Sequence, residues 1–216
     1  MPWKSDVLNK KSRLGLGGAV LAALISCVQT QSMPASELSE GSLVVVERSK
    51  AEPPAWVTLQ QGQVIDTPRE LRIMTARTKL LNLPLGLRQT QLVGMDVARS
   101  ALAGWLKQQL QALAPQEMPA APGAQQELQR VLLGLMDGAA GSRLKINDLY
   151  YEALNNLDAP PGDLMVHFYA VYILVAYPKD KLPFLFHDLA IRLRTSKAPE
   201  TQRLAGLASQ LEHRAP

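Results

Sequence analysis

Apolar and polar positions divide the chain into a first stretch with no period and a longer one with several. An apolar run from Leu14 to Ser26 follows a charged start, and residues 28–42 are polar, poor in aromatics and aperiodic. Thirteen residues at ~1.5 Å each make about 20 Å of helix against a hydrocarbon core of ~30 Å, so a spanning helix is the weaker reading. A basic start, a short apolar core and a small-residue boundary predict an export signal over residues 1–26. Residues 27–42 then read as a flexible tether, in which the fifteen residues after Cys27 span about 20 Å on average and ~50 Å at full stretch.

From residue 43 onward the periods predict one α+β domain, a small antiparallel sheet of three to four strands covered by amphipathic helices. Leu43–Val46 is a β-branched run and an expected strand. Pro53 and Pro54 fix an extended lead-in that sets Trp56 as an anchor on the core. An exposed Trp56 that meets a partner is the alternative. Residues 66–80 read two ways. Thr67-Pro68-Arg69-Glu70 has the form of a helix capping box, whereas the partial alternation of 71–78 favours a strand, the preferred reading.

Leu92, Met95, Leu102, Trp105, Leu106, Leu110 and Leu113 recur at three- and four-residue steps and predict a helix over Leu87 to Leu113. Gly94, Ala98, Ala101 and Gly104 keep part of its surface small, for close approach to a sheet or helix. Arg99 interrupts the stripe and is expected to be partly exposed or paired. A Pro/Ala linker near 114–123 separates this helix from a second, with Leu128, Val131, Leu132, Leu135 and Met136 on one face and Gly138 and Gly141 after it.

Residues 143–153 and 163–177 flank a turn-rich stretch, 155–162, and predict a hairpin with a long loop. Around Val171 to Val175 both alternating sets are apolar, which predicts a central strand covered on both faces. Pro183 opens a further helix with Arg192, Arg194 and Lys197 near its C-terminal end. A last amphipathic helix is expected within 199–213.

Charge changes the picture once the signal is set aside. The chain carries +4, but Lys4, Lys10, Lys11 and Arg13 against Asp6 account for most of it. From Cys27 onward 19 basic and 18 acidic residues leave +1. Net charge therefore gives no reason to expect a nucleic-acid partner. Cys27 is the sole cysteine, so the domain is expected to stand on its core without disulfides.

Few residues invite chemistry. His167, His187 and His213 show no metal-ligand spacing. No nucleophile elbow or phosphate loop is present. Asp148 and Glu152 share a strand face but stand well over ~10 Å apart at ~3.3 Å per residue, too far for a retaining carboxylate pair. No catalytic, metal or cofactor residues are assigned. Tyr150 and Tyr151 concentrate aromatic surface at the hairpin, as core or as a partner contact.

The signal boundary is more specific. Leu24-Ile25-Ser26-Cys27 resembles the lipobox of bacterial lipoproteins, in which the cysteine thiol receives a diacylglycerol and the peptide is cut just before it. A thioether requires a thiol nucleophile, so cysteine alone serves. A chance cysteine beside an ordinary cleavage site and an uncleaved signal anchor are the alternatives. Val28 stands where inner-membrane members of that family carry aspartate, so the resemblance implies the periplasmic face of the outer membrane.

Residues 50–190 are similar to a group of Gram-negative outer-membrane lipoproteins, the flagellum-associated FlgP-like group. The likeness rests on Pro53-Pro54-x-Trp56, a long Ala-rich helix and a strand ending Val171 to Val175. It implies helices over an antiparallel sheet and assembly into rings or discs, hence a homo-oligomer. The helix here is richer in Gln and Leu, and 114–123 looks inserted. The expected function is a lipid-anchored structural or assembly component of the envelope. A regulatory lipoprotein that activates an envelope enzyme such as a peptidoglycan synthase is the alternative.

Overall fold

The structure, a computed structural model, describes residues 43–160, 162 and 166–215. The expected signal, the tether and Cys27 lie outside the described residues, as do 163–165 of the expected second hairpin strand. All described residues fall within one compact unit, Ala35–Pro216.

Five strands form one sheet: β1 (Leu43–Arg48), β2 (Val64–Asp66), β3 (Glu70–Leu80), β4 (Lys145–Asn156) and β5 (His167–Pro178). Their order is β1-β4-β5-β3-β2, and every neighbouring pair is antiparallel. Among the described residues four helices accompany them: α1 (Leu83–Leu113), α2 (Pro122–Met136), α3 (Leu182–Arg194) and α4 (Pro199–Arg214). The architecture is α+β. The sheet exceeds the expected three to four strands by the edge strand β2, whose three residues are too few to show a period.

β5 sits at the centre, and Val171 to Tyr177 is buried at every position. That is the burial its doubly apolar pattern implies. Its two faces meet two separate cores. Val171, Ile173, Val175 and Tyr177 join the main cluster with Leu102, Leu106 and Leu110 of α1 and the apolar faces of α2, α3 and α4. Phe168, Ala170 and Tyr172 face the other way, towards Met74, Tyr150 and Leu154.

The segment 66–80 resolves as a hairpin and a strand. Thr67 makes the contact that suggested a helix cap, since its hydroxyl accepts the Glu70 N–H at 3.3 Å. Thr67 N–H also donates to the Glu70 carbonyl at 3.1 Å, which closes the turn between β2 and β3. Pairing with β5 along its length then holds β3 extended.

Two boundaries move outward for local reasons. α1 begins at Leu83, because the Asn82 side chain accepts the Leu85 N–H at 3.1 Å and Pro84 falls in the first turn. Pro84 and Gly86 thus belong to the start of the helix. β4 runs on through Asn155 and Asn156, which pair with Val44 and Leu43 of β1. The Asn156 side chain then accepts the Asp158 N–H at 3.1 Å and turns the chain.

α1 lies close to the sheet because Gly94 allows it. A Cβ there would stand 2.9 Å from Thr75 Oγ1, which itself donates to the Ile173 carbonyl. Gly104 plays no such part, since it is exposed with open space around it. Arg99 is paired with Asp96 at 2.7 Å, in keeping with its expected role.

Candidate functional site

The sheet face away from the helices carries the tyrosine and tryptophan singled out in the sequence. Pro53 and Pro54 lead into a single 3-10 turn, Ala55–Thr58. There the half-buried Trp56 packs with Val57 and Leu59 over Met74, Tyr150 and Tyr172. Its indole Nε1 donates to Asp148 Oδ2 at 3.0 Å. The other carboxylate oxygen accepts the Leu149 N–H at 2.8 Å and pairs with the Lys50 ammonium. Trp56 is thus the anchor of the lead-in segment, with Asp148 as its mooring.

Burial pushes the Asp148 carboxyl up, but hydrogen bonds from Lys50, Trp56 and Leu149 outweigh it and hold the group below the ordinary carboxylate range. A depressed carboxylate adds stability above its unfolded value, and that stability is lost as pH falls through the folded one. Trp56→Ala is expected to cost about 2–3 kcal/mol in urea unfolding, below the full cost of a fully buried aromatic. Trp56→Phe keeps most of the packing and should cost about 1 kcal/mol. The stability gap between the parent and Asp148→Asn should close below about pH 4. A gap constant with pH would sink the mooring role.

A second chain of contacts crosses the same face. Tyr150 is fully buried, and its hydroxyl donates to Glu152 Oε1 at 2.7 Å. Arg48 donates to the same oxygen at 3.1 Å. The Tyr150 ring stands 5.9 Å from that of Tyr172, over which Arg77 lies at 5.8 Å. Next to it, Lys79 lies 5.2 Å from the Phe168 ring. The four strands β1, β4, β5 and β3 are therefore laced by alternating charged and aromatic groups. The expectation of Tyr150 as a partner contact is corrected here, because a side chain with no exposed surface has none to offer.

Desolvation, then the hydrogen bond to Glu152, pushes the Tyr150 phenol up to about 12. Because the folded value exceeds the unfolded one of ~10, the protonated phenol stabilises the fold fully below ~pH 10 and progressively less towards about pH 12. An ultraviolet titration should therefore show a tyrosine that ionises near pH 12 or only on alkaline unfolding, and that component should vanish in Tyr150→Phe.

Tyr151 points to the helix side and is half-buried. Its hydroxyl donates to Glu47 Oε1 at 3.3 Å, and the Glu47 charge pushes the phenol up. Its ring meets Tyr169 edge-on at 6.0 Å, and Tyr169 in turn meets the exposed His167 at 5.3 Å. Of the three aromatic residues proposed as contacts, Tyr151 and Trp56 retain some surface, on opposite faces of the sheet.

Of the other polar candidates, His167, His187, Asp148 and Glu152 are held by neighbours. His167 Nδ1 lies 2.8 Å from Asn155 Oδ1. His187 Nδ1 lies 3.2 Å from Glu212 Oε1 and links α3 to α4. Asp148 and Glu152 share the lead-in face, each with its own cation. Among the described residues no three or more His, Cys, Asp or Glu side chains converge as metal ligands. One open depression is lined by Leu135, Ala139, Ala140, Asp188, Ile191 and Arg192.

Arg48, Lys50, Arg77 and Lys79 escaped the sequence reading. The signal available was the two-residue step that puts Asp148, Tyr150 and Glu152 on one face, together with the charged run Glu47-Arg48-Ser49-Lys50 after a short strand. Fold and site together describe an open sheet with helices on one face and a moored lead-in segment on the other. Comparison of the chain with protein families, with characterised proteins and with solved structures finds no match.

Proposed function

We propose that the protein is a lipid-anchored component of the bacterial cell envelope, held at the periplasmic face of the outer membrane through Cys27, that works by contacts with other proteins and carries out no catalysis. The observation that carries this reading is the placement of the sole cysteine. It closes Leu24-Ile25-Ser26-Cys27 directly after a basic start and a short apolar run. The described domain supports it in a further way. On the lead-in face Asp148 is held by Lys50 and Trp56, and Glu152 by Arg48 and the Tyr150 hydroxyl, so these groups brace the fold.

On this reading the domain assembles with copies of itself. Light scattering on size-exclusion fractions of the detergent-solubilised protein should return a mass several times that of one processed chain, after subtraction of the detergent. A monodisperse monomer at micromolar concentration would count against assembly. It would favour instead a tethered regulator of an envelope enzyme.

A further inference from the structure

The sheet register places the start of β1, the end of β4, the start of β5 and the end of β3 at one end of the domain. Leu43 lies opposite Asn156, Asn155 opposite His167, and Leu80 opposite Tyr169. The chain towards Cys27 leaves from that end, at Leu43. Large apolar side chains are exposed at the same end: Val44 (44%), Leu81 (49%), Leu85 (80%), Leu157 (70%) and Val166 (38%). Single exposed apolar residues are ordinary on a protein surface. Five around the point where the chain departs are a fringe, contributed by β1, the link from β3 to α1, the first turn of α1 and both sides of the β4–β5 connection.

We infer that this end of the domain docks on the lipid surface that holds the anchor, so that the domain rests on the bilayer instead of hanging free of it. The inference rests on the lipid-anchored reading above. Its occupant follows from where the chain leads. At full extension the fifteen residues between Leu43 and the acylated cysteine reach no more than about 50 Å, so this end cannot leave the neighbourhood of the headgroups. At such tether lengths the effective concentration of membrane surface is in the millimolar range or higher, so a weak apolar contact suffices. Arg88, exposed one turn after Leu85, supplies a long cationic side chain whose stem can follow the apolar surface while its head meets lipid phosphates.

The test uses the full chain, purified from a membrane fraction and reconstituted into vesicles of phosphatidylethanolamine and phosphatidylglycerol. Separate variants Leu85→Cys, Leu157→Cys and Ile146→Cys each carry an environment-sensitive fluorophore. Ile146 is also exposed but lies at the opposite end of β4, about 33 Å from Asn156 at the strand rise. Acylation of Cys27 leaves no native thiol to label, and its mass is recorded on the same samples. The expected result is blue-shifted emission at positions 85 and 157, with loss of most of that emission on adding spin-labelled lipid, and neither change at 146. Three labels that stay water-like on protein that floats with the vesicles would overturn docking and leave the anchor standing. An unmodified Cys27 on protein that fails to float would overturn the anchor and docking together. Blue-shifted labels indifferent to spin-labelled lipid would assign the fringe to a second copy and also overturn the inference.

Discussion

Gly141→Ala is expected to destabilise the domain by about 3 kcal/mol or more, the largest effect of the glycine-to-alanine changes among the described residues. The glycine is buried in the short turn between α2 and β4. A Cβ at this position would stand 1.7 Å from the Met136 carbonyl oxygen and 2.8 Å from its carbon. Both are backbone atoms of the last turn of α2, so no side-chain rotation relieves the clash. The Arg99 Nε of α1 closes the third side at 3.4 Å. Accommodating the methyl group means pulling the turn away from the end of α2, and β4 begins only four residues later. Gly206→Ala is the matching control, since that glycine lies on the exposed side of α4 with nothing within 4 Å. Alanine there should stabilise by up to ~1 kcal/mol through helix propensity. Urea unfolding of the two variants should therefore move the midpoint in opposite directions. Equal midpoints for Gly141→Ala and the parent would mean that the turn has room the close approach denies.

Cys27→Ser should have the largest effect on where the protein is found. A hydroxyl does not take the place of the thiol in forming the thioether, so on the proposed reading the variant lacks the diacylglycerol mass and the cleavage that follows it. Intact-mass spectrometry and fractionation read the two consequences separately. The parent is expected with the lipid mass and in the outer-membrane fraction. The variant is expected without that mass, and either uncleaved or released from the outer membrane. A parent protein whose Cys27 is unmodified removes the anchor and, with it, the reason for placing the domain at a lipid surface.

The contrast between these two residues shows what could be read in the chain and what could not. Cys27 stands out through its neighbours in sequence, because an export signal and a lipobox are local patterns. Gly141 reads in sequence as a helix stop, a role it shares with Gly138. Its close approach to the Met136 carbonyl exists only once α2, the turn and α1 are packed. Trp56 lies between these cases. Two prolines and an aromatic marked it as an anchor, but Asp148, the group that moors it, lies 92 residues further on. Tyr150 was read as core or contact, and the covering lead-in segment decided for core.

The sequence alone determined the periodic elements: the helical stripes of α1 to α4, the central place of β5 with both sets apolar, and the hairpin that joins β4 to β5. These depend on residues two to four positions apart, whose relation is set by the geometry of one helix or one strand. Only the tertiary structure decided the rest. The order β1-β4-β5-β3-β2 sets Lys50 beside Asp148 across 98 residues and Arg48 beside Glu152 across 104. It also gathers five exposed apolar side chains at the end where the chain turns towards Cys27. The physical reason is that strand pairing, unlike strand formation, is chosen by burial of whole faces. A pattern of period two states that a face exists but not which neighbour covers it.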